Sequence, residues 1–113
     1  MTYMRTYRGE ELQQRFVRFS VNVIKTCKRS PFDRDLAPLL NQLIRSSSSI
    51  ALNHAEATGA GTIADFINKT RIALKEAEES KITLEILNQL GLPLHTEFNS
   101  LKKEADEICA ILY

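Results

Sequence analysis

The chain has 113 residues, 43% of them hydrophobic and 26% charged, with a formal net charge of +1. That balance fits one globular domain with a modest core, spanning 1–113, and excludes a disordered or collagen-like chain. No apolar run approaches the roughly 20 residues of a membrane span, and Met1–Arg8 lacks the apolar stretch of a signal peptide, so a cytoplasmic protein with no membrane partner is expected. Charge is uneven along the chain: residues 1–32 hold seven Lys/Arg and two Glu, whereas residues 33–113 hold eight Lys/Arg and twelve Asp/Glu. Cys27 and Cys109 are far apart and match no zinc or redox spacing, which predicts free thiols in apolar settings.

Hydrophobic periodicity predicts four helices, over about 10–29, 33–57, 62–90 and 94–112. In the first, Leu12, Phe16, Phe19, Val23 and Cys27 share one stripe. Val17, Val21 and Ile24 form a second stripe beside it, and together the two cover nearly half the circumference, more than the ~100° a bundle helix has to bury. Such a surplus marks a contact with another subunit. Arg8, Arg15, Arg18, Lys25 and Arg29 fill the remaining arc. Ser30-Pro31 ends the helix, because a residue before proline avoids the helical region.

The second helix is expected to start at Asp33 or Asp35, with Pro38 in its first turn. Its inner face reads Leu36, Leu39, Leu40, Leu43, Ile44, Ser47, Ile50, Ala51, His54 and Ala55. Gly59 is expected to end it in a left-handed conformation. Thr62 with Asp65 resembles a capping box for the third helix, whose seam reads Phe66, Thr70, Ala73, Ala77, Ser80, Leu84 and Leu87. Small residues in the middle of both helices allow a close approach. The fourth helix carries the most regular heptad: Leu94, Phe98, Leu101, Ala105, Ile108 and Leu112. Four amphipathic helices with short connections and no strand-like alternation predict an all-α, up-down-up-down antiparallel four-helix bundle.

On the second helix, Arg45, Ser49, Asn53 and Glu56 recur at spacings of 4, 4 and 3 and share a polar face. The face reads either as a solvated surface or as a polar network toward a neighbouring helix or subunit. Glu76, Glu78 and Glu79 are the candidate partners for Arg45. His54 falls on the apolar side and reads as a core histidine, neutral if buried. His54-x-Glu56 has no metal-ligand spacing, so no metal or cofactor is expected. The Gly59-Ala-Gly61-Thr62 break lacks both a preceding strand pattern and the Gly-Lys-Ser/Thr of a phosphate loop. No serine has a base placed on its own face, and no paired carboxylates share an apolar pocket, so an enzyme is not expected. The basic arc of the first helix suits phosphate contact, yet no aromatic residues interleave with it to stack on bases.

Arg45-x-x-x-Ser49-Ile50-x-x-Asn53-x-Ala55-Glu56, a glycine-containing break, then Phe66 and Ile72-Ala73-Leu74 resemble a group of bacterial four-helix-bundle proteins. That group was first met as reading frames inside intervening sequences of 23S ribosomal RNA, and its members are sometimes labelled ribosomal proteins. Helices two and three carry the likeness. The chain departs from the group at Asn53-His-Ala-Glu-Ala57, where Asn-Ile-Ala-Glu-Gly is usual, and at Lys75-Glu76, where a Gly-Ser pair is usual. The resemblance implies a left-handed bundle assembled into a homopentameric ring, with no catalytic activity. A related branch, the accessory proteins of diversity-generating retroelements, looks like a basic pentameric barrel that binds nucleic acid and a reverse transcriptase. The resulting expectation is a homo-oligomeric scaffold with RNA or other nucleic acid as a partner through the first helix. The alternative is an adaptor ring that recruits a protein partner.

Overall fold

The structure, a computed structural model, describes residues 7–113, with side chains from Gly9 onward. Four helices follow one another: α1 (Tyr7–Arg29), α2 (Ala37–Thr58), α3 (Ile63–Gln89) and α4 (His95–Leu112). The described residues contain no strand. Seven residues join α1 to α2, a reach of at most about 25 Å, and the later connections are shorter. The helices are about 27–40 Å long at 1.5 Å per residue. A parallel return is therefore out of reach, and the helices run up, down, up, down. Each packs on its chain neighbours and α1 closes onto α4, with no diagonal contact among the described residues. The result is an elongated bundle, 44 × 22 × 20 Å, of roughly square cross-section.

One stripe from each helix forms the core. Phe16, Phe19 and Val23 come from α1, Leu43 and Ile50 from α2, Ala77, Leu84 and Leu87 from α3, and Phe98, Ala105 and Ile108 from α4. The 3–4 spacings of α1, α3 and α4 all point inward as the sequence predicts. On α2 the expected face holds through Leu43, Ser47, Ile50, Ala51 and His54, with Leu36, Leu39, Leu40 and Ile44 half-buried, and differs at three positions. Ser46 and Ala57 are buried and Ala55 is exposed. The stripe of α2 runs 43, 46/47, 50, 54, 57, and two of its members are serines that bond back to the helix: Ser46 Oγ to the Leu43 carbonyl, Ser47 Oγ to that of Ile44. Each hydroxyl thus brings a partner into the core, so its burial costs little.

Helix ends differ from expectation in two places. Asp33 does not cap α2 itself. Its carboxylate accepts from the amides of Asp35 and Leu36 and organises a separate turn, so α2 begins at Ala37 with Pro38 in its first turn. Gly59 is not left-handed (φ −96°). Its amide donates back to Ala55, and the following residue, Ala60, is buried against the bundle, so the chain tightens instead of reversing hand. The left-handed residue is Gly91 (φ 64°), which turns the chain between α3 and α4. Thr62 does cap α3, its hydroxyl accepting from the Asp65 amide at 3.0 Å.

Candidate nucleic-acid interface and polar seam

The five cations assigned to the basic arc of α1 fall into distinct settings. The Arg15 guanidinium meets Glu104 through two parallel bonds, Nε to Oε2 at 2.8 Å and Nη2 to Oε1 at 2.9 Å. It also reaches Glu107 at 3.1 Å. These hydrogen bonds, with Glu104 contributing most, hold Arg15 more firmly charged than a free arginine. Arg29 pairs with Glu97 at 2.9 Å. The Glu97 carboxyl is lowered by a bond from its own backbone amide and then by Arg29. Arg18 and Lys25 are exposed and make no ion pair among the described residues, and the same holds for Lys28. Arg8 lies outside the described side chains. α4 therefore neutralises two of the arginines and leaves Arg18, Lys25 and Lys28 facing solvent. The sequence holds a signal for this pairing. Glu97 and Glu104 lie one heptad apart, each just before a core residue of α4, which is the flanking position from which a side chain reaches a neighbouring helix.

An open groove of about 480 Å³ runs between α1 and α4, lined by Arg15, Arg18, Phe19, Asn22, Ser100, Leu101 and Glu104. On the other flank of α1, Val17 and Val21 are exposed and Ile24 is half-buried. Ser20, between them and the core, bonds to Ser48 of α2 at 3.0 Å, so this second stripe lies on the α2 side of α1.

The polar stripe of α2 lies along the seam with α3. Glu56 accepts from Lys69 Nζ at 2.8 Å, and Asn53 Nδ2 donates to the Ser49 carbonyl. Ser49 and Arg45 both act on the carboxyl of Glu76. Glu79 lies beside Glu76, and Gln42 Nε2 donates to Glu79 Oε1 at 2.7 Å. Burial and the neighbouring Glu79 push Glu76 above the usual carboxylate range, while Ser49 and Arg45 pull it back. One turn inward, Ser46 and Ser80 share a fully buried hydroxyl–hydroxyl bond of 2.8 Å. Gln42, Ser46 and Ser80 belong to this network, although the sequence reading leaves them out of it. Polar residues without charge give a weak periodic signal.

His54 is buried between α1 and α2. Its Nδ1 bonds Gln13 Oε1, Gln13 Nε2 donates to the Ala51 carbonyl, and Phe16 meets the ring edge-on at 5.0 Å. Nε2 is buried with no hydrogen-bond partner. Burial lowers the tendency of the ring to take a second proton. The tautomer with hydrogen on Nδ1 satisfies Gln13 and leaves only an acceptor unpaired. Burial likewise raises the Cys27 thiol to about 11, and both cysteines are free thiols. Among the described residues, no group of His, Cys, Asp and Glu could hold a metal ion, and no helix is long and apolar enough to cross a membrane.

An antiparallel four-helix bundle with polar seams between its helices is the class these features define. The sequence model of the 23S rRNA-intervening sequence protein family matches residues 10–113, and the chain belongs to that family. A crystal structure of a protein of unknown function from the S23 ribosomal protein family of Bacteroides thetaiotaomicron VPI-5482 is similar throughout. It has a TM-score of 0.75 and 31% sequence identity, covering 88% of this chain and 93% of that one. No protein of curated function matches the chain.

Proposed function

We propose that the protein is a non-enzymatic, homo-oligomeric helical scaffold of the bacterial cytoplasm that contacts the phosphate backbone of RNA through α1. The observation that carries this reading is the trio Arg18, Lys25 and Lys28, exposed on one helix and without ion pairs among the described residues, while Arg15 and Arg29 are held by α4. Three cations on a single chain make a weak site. Repeated around a ring, which the family resemblance implies to be pentameric, they make a multivalent one. Such binding gains from counterion release and is selective for charge over sequence. The test is fluorescence anisotropy of the purified chain with a structured RNA across salt concentrations. Binding that weakens steeply with salt and disappears in Arg18→Ala/Lys25→Ala supports the reading. Binding with no salt slope, or none at low salt, removes it.

A second reading has its own observation. Apolar side chains such as Leu52 and Ile63 stand exposed on the outer surface, and no aromatic residue interleaves with the α1 cations. These features fit an adaptor ring that recruits a protein partner and never touches RNA. Loss of RNA binding at every salt concentration, with the oligomer intact, favours it.

A further inference from the structure

Two helices carry exposed apolar stripes on adjacent sides of the bundle. On α1, Val17 and Val21 are 39% and 41% exposed and Ile24 follows half-buried, with the exposed Lys28 next in line. On α3, Ile82, Ile86 and Leu90 are 58%, 44% and 52% exposed. They continue a line from Glu79, which touches Gln42 of α2, so this stripe lies on the α2 side of α3. The apolar residues are four and three apart in the first stripe and four and four in the second, so each runs along one side of its helix, and the two have opposite settings. Cations surround the first: Arg18, Lys25 and Lys28. Glu78 and Glu79 precede the second and make no ion pair among the described residues, and the nearest cation on that face, Lys75, lies two turns before Ile82.

From this charge complementarity we infer that the occupant of each stripe is the other stripe on a second copy of the chain: α1 of one protomer packs on α3 of the next. Bringing two α1 faces together would gather three cations from each copy against one carboxylate each, the exposed Glu10 two turns before Val17, and bringing two α3 faces together would gather Glu78 and Glu79 of both copies. Only the unlike pairing covers both apolar stripes and matches their charges. The contact uses two different surfaces, so it is heterologous and either closes into a ring or runs on as a filament. Its two faces lie on adjacent sides of a square bundle, about a right angle apart. Each added copy therefore turns the assembly, and a small closed ring results. Lys28, in line with the apolar stripe, meets the α3 carboxylates inside the contact, whereas Arg18 and Lys25 sit further round α1 at its outer edge, where they favour the approach of Glu78 and Glu79 without pairing and stay open to phosphate. The inference rests on the scaffold reading for its oligomer and assigns the surfaces that build it.

The test uses the full chain with Val21→Glu, which spoils the α1 face, and Ile86→Glu, which spoils the α3 face, measured by light scattering and native mass spectrometry. Both sites are exposed, so helicity by circular dichroism should hold; Val21→Ser and Ile86→Ser replace either variant that loses it. The wild-type chain is expected to be an oligomer and each variant alone a monomer. Mixed one to one, the variants should recover a heterodimer and nothing larger, because only one good α1 face and one good α3 face remain. Wild-type assembly surviving in either variant, or a mixture that stays monomeric, overturns the pairing while leaving the scaffold reading in place. A monomeric wild-type chain overturns both.

Discussion

The seam between α2 and α3 and the seam between α1 and α4 solve the same packing problem with opposite materials. Between α2 and α3 the facing residues are small: Ser46, Ser47 and Ala51 on one side, Ala73, Ala77 and Ser80 on the other, all buried. The backbones approach, and short hydroxyls reach each other inside the core. Between α1 and α4 the facing residues are large: Phe16 and Phe19 against Phe98 and Ile108. The helices share less contact there, and long charged side chains, Arg15 with Glu104 and Arg29 with Glu97, span the distance from outside. Small residues thus place polar chemistry within a seam, whereas large ones displace it to the edge. The difference decides how many α1 cations stay available to a partner.

The sharpest way to break this comparison is to exchange the materials. Phe16→Ala empties the large seam and should cost about 3–5 kcal/mol, since a fully buried aromatic loses its transfer energy and leaves a cavity. Ser80→Leu overfills the small seam and should cost about 1–3 kcal/mol. Ser80→Ala should cost less than Ser80→Leu, because Ser46 retains its bond to the Leu43 carbonyl. Urea unfolding measures all three. A Ser80→Leu variant as stable as wild type would mean that the α2–α3 approach is not close.

Much of this was legible in the sequence. The 3–4 spacing of Phe66 to Leu87 and of Leu94 to Leu112 locates the inner faces of α3 and α4, because uncharged residues, large at the ends of α3 and along α4 and small in the middle of α3, recur there among charged ones. On α2 the run Ser46–Ser49 hid the inner face. Serine is equally at home inside or outside, and its burial depends on a hydroxyl partner 34 residues away. By periodicity Ala55 therefore reads as inside, whereas Ala57 is the buried residue. His54 could be placed on the apolar side by position, but its partner, Gln13, is set by the docking of α1 on α2. The basic arc of α1 was visible as a count of charges. Its division into paired and exposed cations required the neighbour α4, which only the tertiary arrangement supplies.

Acid should separate the α1–α2 and α2–α3 seams by sign. His54 is a base whose folded form resists protonation, so below its unfolded value, about 6.5, the unfolded chain binds the extra proton. Stability on the α1–α2 side therefore falls as pH drops through that point and levels off only below the lowered folded value. Glu76 behaves oppositely. Its folded pKa lies above the ordinary value of a glutamate in the unfolded chain, about 4.3, so between those two values the folded chain holds more protons, and acidification adds stability to the α2–α3 seam. His54→Leu should flatten the loss near pH 6, and Glu76→Gln should remove the gain at lower pH. Urea midpoints measured stepwise between neutral and mildly acidic pH check both. Identical pH slopes for wild type and His54→Leu would mean that the ring is not held neutral.

The smallest effect belongs to the bridges at the edge of the α1–α4 seam. Arg15 and Glu104 keep 29% and 31% of their side-chain surface in water, so solvent screens the pair despite its two-bond geometry. A double-mutant cycle with Arg15→Ala and Glu104→Ala should give a coupling of at most about 1 kcal/mol, shrinking as salt is added. The Arg29–Glu97 pair, more exposed still, should give less. The RNA assay then separates stability from function. Glu104→Gln removes the charge that neutralises Arg15 while leaving the core untouched, so it should strengthen phosphate binding with little change in the unfolding midpoint. If Glu104→Gln leaves RNA affinity unchanged while Arg18→Ala/Lys25→Ala abolishes it, the functional surface stops short of the α1–α4 groove, and the bridges serve only to dock α4.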